Sequence, residues 1–193
     1  MKVLAVNSSA RRDGNTDILI NRVFEELNKE GIETEMIQLA GQVVEPCKAC
    51  WACGGQENCV HRKDNFREIF DKMKEADGII LGSPVYTANL SANMQAFLER
   101  ASVVTDMNRD AGPFRHKVGA AVTAARRGGA VSALDAMNHF FLLQEMFVVG
   151  SCYWPLAYGQ MPGDALKDAE GLETMRVLGQ NMAYLLKALK ERR

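Results

Sequence analysis

The sequence predicts an α/β protein built on a doubly wound, five-stranded parallel sheet of order 2-1-3-4-5, with a cysteine-rich loop after the second strand. Three observations predict it. Apolar runs such as Gly78–Val85 and Lys117–Ala124 are nearly continuous, as strands buried on both faces require. Segments with apolar residues at helical spacing separate the strand-like runs, which is how parallel strands are connected. Four cysteines then fall in one short stretch between the second strand and the next helix.

The elements follow in order. Lys2–Asn7 is a short apolar strand, and Asn15–Lys29 carries Ile18, Leu19, Val23, Phe24 and Leu27 at helical spacing. Thr34–Leu39 alternates as the second strand. Phe66–Glu75 places Phe66, Ile69, Phe70 and Met73 on one helical face. Gly78–Val85 is the third strand, Ser91–Asp106 a helix, Lys117–Ala124 the fourth strand and Val131–Met146 another helix. Phe147–Tyr153 reads as the fifth strand. A loop bearing proline and glycine, Trp154 to Gly163, leads to a last helix over Ala169–Lys190. The order 2-1-3-4-5 is that of flavodoxin-like sheets, which bind ligands beyond the carboxyl ends of the strands, near the reversal of strand order.

Composition narrows the function. A chain of 193 residues suits a single domain, 1–193, with the cysteine-rich insertion at about 41–65. The net charge of −1 gives no electrostatic case for nucleic acid or an anionic membrane surface. No apolar stretch approaches a membrane span, and the N-terminal apolar run is too short for a signal-peptide core. A cytoplasmic location is therefore expected, where thiols stay reduced and cysteines serve metal or redox roles. Cys152 lies in an apolar run and reads as buried packing.

Three loops carry ligand-like chemistry. The first, Asn7–Thr16, reads NSSARRDGNT and opens directly into a helix. Its small residues, the hydroxyls of Ser8, Ser9 and Thr16, and Arg11 or Arg12 suit a phosphate monoester at a helix N-terminus. It is neither a Walker loop nor a G-x-G-x-x-G fingerprint. The plainer reading is a strand–helix turn with Asn15 or Thr16 as N-cap. The second, Gly82–Met94, is stiffened by Pro84, its backbone can edge a planar ring, and Ser91 reads as an N-cap. The third, Thr123–Ser132, has Gly128 and Gly129 for close backbone approach, and Arg126 or Arg127 near a ring that turns anionic on reduction. For either arginine alone, a solvated turn is the plainer reading. In a 2-1-3-4-5 sheet these loops meet at one edge, and a phosphate with a flat heterocycle describes FMN.

The cysteine loop reads PCKACWACGGQENCV, with spacing Cys47-x2-Cys50-x2-Cys53-x5-Cys59. The three-residue recurrence is too tight for ordinary structural disulfides. Four thiolates on one loop suit an iron–sulfur cluster or tetrahedral zinc. The spacing argues against a zinc ribbon, whose ligands split into two distant knuckles. Free thiols in an insertion, with Trp51 packing or covering an interface, are the third reading.

These segments together resemble the NADPH-dependent FMN reductase family of flavodoxin-like proteins, and especially its iron–sulfur flavoprotein branch. The resemblance covers the whole chain and rests on NSSARRDGNT, SPVYTANLSANMQAFLER and the cysteine loop. It implies that Ser9, Arg11, Asn15 and Thr16 bind the FMN phosphate. It implies that Pro84, Val85, Tyr86, Thr87 and Asn89 border the flavin with Thr123, Arg127, Gly128 and Gly129. In that branch a run of such spacing binds a [4Fe–4S] cluster, which would make Cys47, Cys50, Cys53 and Cys59 its ligands. The wider group also has similar loops without one. Homodimers or homotetramers with flavin near a subunit interface are implied too.

The expected activity is that of an FMN-dependent oxidoreductase. Electrons would come from NAD(P)H or a carrier such as ferredoxin, and the flavin rather than a side chain would perform the chemistry. A non-enzymatic, flavodoxin-like carrier and a thiol-based redox or metal sensor are the alternatives. His61, His116 and His139 lack metal-ligand spacing and read as surface or capping residues, and Asp64 as the start of a helix. No G-x-S-x-G elbow supports a hydrolase triad.

Overall fold

The computed structural model describes residues 1–191. Six strands, β1 (Lys2–Asn7), β2 (Glu33–Gln38), β3 (Gly78–Pro84), β4 (Val118–Ala125), β5 (Phe147–Val148) and β6 (Leu156–Tyr158), form one parallel sheet. Its order is β2-β1-β3-β4-β5, with β6 also paired to β4. Five helices cover it: α1 (Asn15–Lys29), α2 (Phe66–Glu75), α3 (Ala92–Asp106), α4 (Ala130–Leu143) and α5 (Ala169–Lys190).

Alternation along the strands sorts the core into two layers. Val3, Ala5, Ile80, Val118, Ala120 and Val122 pack on one face, with Leu19, Val23, Leu178 and Met182 of α1 and α5. Leu4, Val6, Ile79, Leu81 and Ala121 pack on the other, with side chains of α2, α3 and α4. This second layer holds a run of aromatic contacts through Phe70, Phe66 and Phe97 on one side and Phe70, Phe114 and Phe140 on the other. Each fully buried ring of this kind contributes roughly 1.5–3 kcal/mol. At the far end of α2, the Lys117 ammonium donates to the carbonyls of Met73, Lys74 and Ala76, where a cation complements the helix dipole.

The fifth sheet position differs from the sequence expectation of one strand over Phe147–Tyr153. The strand is broken in two. Val149 N–H still reaches Gly119 O at 2.9 Å, then the chain leaves the sheet. Pairing resumes where Thr123 N–H donates to Pro155 O at 3.0 Å and β6 begins. Pro155 has no N–H to give, and Tyr153 and Trp154 stand exposed on the excursion. Cys152 lies on the same excursion and is exposed, not buried as expected. The segment after Trp154, read as loop, therefore contains a strand. Helix α4 ends at Leu143, earlier than the apolar pattern suggests, because Glu145 takes a left-handed φ of 58° and turns the chain.

Candidate functional site

The loops after β1, β3 and β4 leave neighbouring strands at the carboxyl edge of the sheet. In the first, Asn7 Oδ1 accepts the Ser9 N–H at 3.0 Å and Ser9 Oγ accepts the Arg11 N–H at 3.1 Å. These local bonds curl the loop towards α1, as asparagine and serine do in turns. Ser8 binds this loop to the next: its N–H donates to Gly82 O at 2.8 Å, and its hydroxyl accepts from Ser91 Oγ at 2.7 Å. Ser91 also caps α3 as expected, accepting the Met94 N–H.

Helix α1 starts without a side-chain cap, since Gly14 holds the capping position. This corrects the expectation that Asn15 or Thr16 serves there. Asn15 instead fastens the segment after β6, donating to Met161 O at 3.0 Å and accepting the Ala165 N–H at 3.2 Å. Arg11 is exposed and donates to Gln160 O at 3.2 Å. Two of the four expected phosphate residues thus tie down a neighbouring loop. Thr16 behaves differently: its hydroxyl is buried and has no hydrogen-bond partner. An unsatisfied buried hydroxyl costs about 1–3 kcal/mol, and such a group in the first turn of an uncapped helix fits an anion as its missing partner.

The loop after β3 is joined to β4 where Val85 N–H donates to Ala124 O at 2.9 Å. Tyr86 and Asn89 exchange two backbone bonds of 2.9 and 3.1 Å around a two-residue turn. Thr87 and Ala88 hold left-handed φ of 50° and 60°, the geometry that turns of this length normally give to glycine or asparagine. Backbone held in this way stores about 1–3 kcal/mol per residue, and residues so held cluster at ligand clamps. Gly129, with φ 98°, packs directly on the turn: a Cβ there would lie 2.5 Å from the Ala88 Cα. Only glycine fits, so the third loop presses on the second. Thr123, at the end of β4, has a buried hydroxyl without a partner, like Thr16. Beside these loops, Arg127, Gly128 and Gly129 line a cavity of about 380 Å³ with Tyr153, Trp154 and Tyr158. That volume is in the range of small-molecule sites.

The structure thus gathers Ser9, Thr16, Pro84, Val85, Tyr86, Thr87, Asn89, Thr123, Gly128 and Gly129 on one edge of the sheet. Tyr86 is half exposed there, and Asn89 Oδ1 accepts its neighbour's N–H, from Leu90.

The cysteine loop lies between β2 and α2. All five cysteines of the chain are free; Cys53 and Cys59 are buried, Cys47 is half-buried and Cys50 is exposed. Cys47, Cys50, Cys53 and Cys59 line a single cavity with Trp51, His61 and Arg100. Left-handed φ at Ala49 (48°) and Trp51 (57°) turns the chain sharply after each of the first two cysteines. The Ala49 N–H reaches Cys47 Sγ at 3.4 Å. Burial pushes the Cys53 thiol up, and the charges of Cys59, Cys47 and Cys50 act in the same direction. Among the described residues, no three of these groups are drawn together at metal-binding distance. The donor set itself, four sulfurs around one cavity without a carboxylate, is that of thiolate-held iron–sulfur or zinc centres.

Sequence reasoning missed what holds this loop. Arg100 of α3 is only 3% exposed. Its Nε–H donates to Cys59 Sγ at 3.2 Å, Nη2 to His61 O at 3.0 Å, and Nη1 to Glu45 O at 3.3 Å and to the Asp64 carboxylate. The guanidinium also lies 4.3 Å from the Phe66 ring centroid. Burial works against its charge, but the bonds to Asp64 and Cys59 prevail and its pKa is raised. Asp64, read as a helix start, does accept the Phe66 N–H at the head of α2 at 3.4 Å; it is also this arginine's buried partner and accepts the Glu45 N–H at 2.9 Å. His61, read as a surface residue, has Nε2 3.5 Å from Cys50 Sγ. One signal was present: Arg100 falls on the apolar stripe of its helix, between Phe97 and Val104.

Sheet order and ligand edge together define a flavodoxin-like α/β protein. The profile of the NADPH-dependent FMN reductases matches residues 1–160. An iron–sulfur flavoprotein of Methanocaldococcus jannaschii is 39% identical, over 99% of this chain and 100% of its own length. An iron–sulfur flavoprotein of Methanosarcina thermophila is 29% identical, over 100% of this chain and 99% of its own. In three dimensions, RosB with bound 8-demethyl-8-formylriboflavin-5'-phosphate superposes with a TM-score of 0.77 at 19% identity, covering 99% of this chain and 81% of that one. A flavodoxin from the Archaea gives 0.64 at 16% identity, covering 97% and 99%. The chain belongs to the NADPH-dependent FMN reductase family, and its broad class is that of FMN-dependent oxidoreductases.

Proposed function

We propose that this protein passes electrons from NAD(P)H, or from a carrier protein such as ferredoxin, through FMN at the sheet edge to an acceptor, with a [4Fe–4S] cluster on Cys47, Cys50, Cys53 and Cys59. The observation that carries the flavin site is the pair of buried, partnerless hydroxyls, Thr16 and Thr123, within loops already bonded to one another. Bound there, FMN would supply hydride acceptance from a nicotinamide and release of electrons singly or in pairs, and the cluster would supply one-electron capacity.

The residues divide the remaining work. Thr16 and the open N-terminus of α1 would hold the phosphate, with Ser9 shaping the loop and Arg11 swinging from Gln160 to add charge. The clamped turn Tyr86–Asn89, with Pro84 and Val85 before it, would border the ring on one side. Thr123 and the Arg127–Gly129 turn would border the other, with Arg127 stabilising charge gained on reduction. Glycine at 129 lets the two loops meet without a gap for water. For the cysteine loop, the reading rests on four sulfurs sharing one cavity and on relatives named as iron–sulfur flavoproteins.

The chain contains no helix long and apolar enough to cross a membrane among its described residues. A cytoplasmic homodimer or homotetramer is part of the proposal. Exposed Val131, Leu142, Leu143, Tyr153, Trp154 and Tyr158 on α4 and the broken sheet edge supply apolar surface for self-association.

Anaerobic purification followed by flavin, iron and sulfide analysis tests the proposal, together with NAD(P)H oxidation using a quinone or ferricyanide. FMN on chromatography, iron with sulfide, and turnover are expected. FAD, or no flavin after reconstitution, overturns the site. Flavin and iron without NAD(P)H turnover would assign the protein to the non-enzymatic carriers.

A further inference from the structure

We propose that Arg100 is the positioning residue of the cysteine loop: it fixes Cys59 as a ligand and, through its Nε–H···S bond, raises the reduction potential of the centre the loop holds. The inference rests on the cluster reading above for its second half only; the first concerns the chain by itself.

The geometry is unusual for an arginine on a helix of a small domain. Its side chain is buried, and four of its five N–H groups are counted for by the Cys59 sulfur, the Glu45 and His61 carbonyls and Asp64. These partners lie on both sides of the cysteine run. Glu45 precedes Cys47; His61 and Asp64 follow Cys59. One rigid side chain therefore closes the loop at its base, and the planar fork sets the direction from which Cys59 points into the cavity. The lining of that cavity includes Arg100 itself.

Lysine could supply charge there but not this set of bonds, because an ammonium has three donors and no planar fork. Asp64 alone cannot explain the burial either. A pair formed only for stability gains little over apolar packing, whereas here the cation also meets the one sulfur that stands apart in the spacing, after x5 rather than x2. Hydrogen bonds to cluster sulfurs are among the factors that set reduction potential. A buried cation donating to the ligand sulfur favours the more negative, reduced state of the centre.

The test has two readouts. In metal-free, reduced protein, alkylation of each cysteine by iodoacetamide is followed by mass spectrometry for wild type, R100K and R100Q, with exposed Cys152 as the internal reference. Cys59 should be protected in wild type and react at least tenfold faster in both variants. An unchanged Cys59 rate in folded variants overturns the positioning role. In anaerobically reconstituted protein, a potentiometric titration followed by electron paramagnetic resonance should give a lower midpoint for R100K. The expected size is a tenfold loss in the one-electron equilibrium, or about 59 mV. An equal midpoint in fully loaded R100K overturns the tuning role, which a merely structural arginine would not move. If wild type takes up no iron, the cluster reading fails and takes the tuning role with it, while the alkylation arm still decides the positioning role. Should R100Q fail to fold, D64N/R100Q, which leaves no lone buried charge, takes its place.

Discussion

The flavin edge and the cysteine loop are held together by different physics. At the flavin edge, backbone and hydroxyl groups carry the order. Ser8 bonds to Gly82 and Ser91, Val85 to Ala124, and Gly129 packs on Ala88. Every anchor is within a few residues of a strand end, so the sheet itself fixes the site. The cysteine loop has no strand beneath it. It hangs from side chains reaching across the sequence: Arg100 at its base, Asn108 donating to Cys53 O at 2.9 Å and accepting from Gly55 at 2.8 Å, and Asn65 paired with Val43. The first arrangement is preformed, with the hydroxyls of Thr16 and Thr123 left unpaired among the buried polar atoms. The second depends on a few side-chain contacts over long sequence separations, of which the buried ones at Arg100 are the costly ones to lose, and on the proposed reading a bound centre would complete it.

The largest expected effect separates the two regions outright. Replacing any one of Cys47, Cys50, Cys53 or Cys59 with alanine should remove most of the bound iron from anaerobically reconstituted protein, because a centre held by four thiolates is labile when one is lost. C152A should not. FMN content should be unchanged in all five, since the flavin loops share no residue with the cysteine loop. Loss of FMN from the cysteine variants would show that the two regions are one cooperative unit and that the contrast drawn above is false.

Within the flavin edge, G129A should be the most damaging single change. It forces a left-handed φ of 98° on a residue with a Cβ, and places that Cβ 2.5 Å from Ala88 Cα. About 1–3 kcal/mol of lost stability is expected from the backbone alone, with weakened FMN binding as the two loops separate. Urea unfolding and fluorescence titration with FMN measure both. T16V tests the orphaned hydroxyl more gently. It keeps the shape and removes the donor, so FMN affinity should fall by about 1–2 kcal/mol while the apoprotein gains stability. That opposite pair of signs distinguishes a ligand-facing hydroxyl from one whose partner is an ordered water. R11A should also weaken FMN, by about 1–3 kcal/mol, if the guanidinium leaves Gln160 for the phosphate. An unchanged dissociation constant would leave Arg11 as a tie to the Gln160 loop.

The flavin edge was the more legible region because its determinants are local. Continuous apolar runs ending in NSS, SPVYT and TAARRGG place three loops at strand ends, and α/β topology brings strand ends together. What sequence alone did not show there was the further structural use of Asn15 and Arg11, whose partners lie about 150 residues away. The broken fifth strand escaped for a similar reason. The run Phe147–Tyr153 is mostly apolar, and only Gly150, Ser151 and Pro155 hint that it leaves the sheet. In the cysteine loop the four sulfurs were plain, but their support was not. Arg100 and Asp64 are 36 residues apart, one on α3 and the other in the loop before α2, and Asp64 alone reads only as the start of a helix. A charged residue on the buried stripe of an amphipathic helix is the pattern that would have exposed the pair.

The smallest expected effect concerns how the ends of the cysteine loop are joined. Glu35 of β2, just before the loop, accepts from Lys72 of α2, just after it, at 2.8 Å, and from Lys2 of β1 at 2.6 Å. The two lysines hold its carboxyl below the usual glutamate range, with Lys2 the larger influence. A carboxylate whose folded pKa is depressed contributes stability above its unfolded pKa, and that contribution is lost as pH falls through the folded value. E35Q should therefore destabilise the protein at neutral pH, and the difference from wild type should shrink as the solution is acidified below the ordinary glutamate pKa of about 4.3. The triad is partly exposed, so solvent and salt screen it and the loss should stay within about 1 kcal/mol. Urea unfolding of both proteins from neutral pH to well below the ordinary glutamate pKa, in low and high salt, measures this directly. A difference that persists in acid would mean that Glu35 acts through packing on the sheet edge. One that vanishes in salt at neutral pH would confirm a charge clasp across the loop's two ends, weaker than the buried clasp at Arg100 and independent of it.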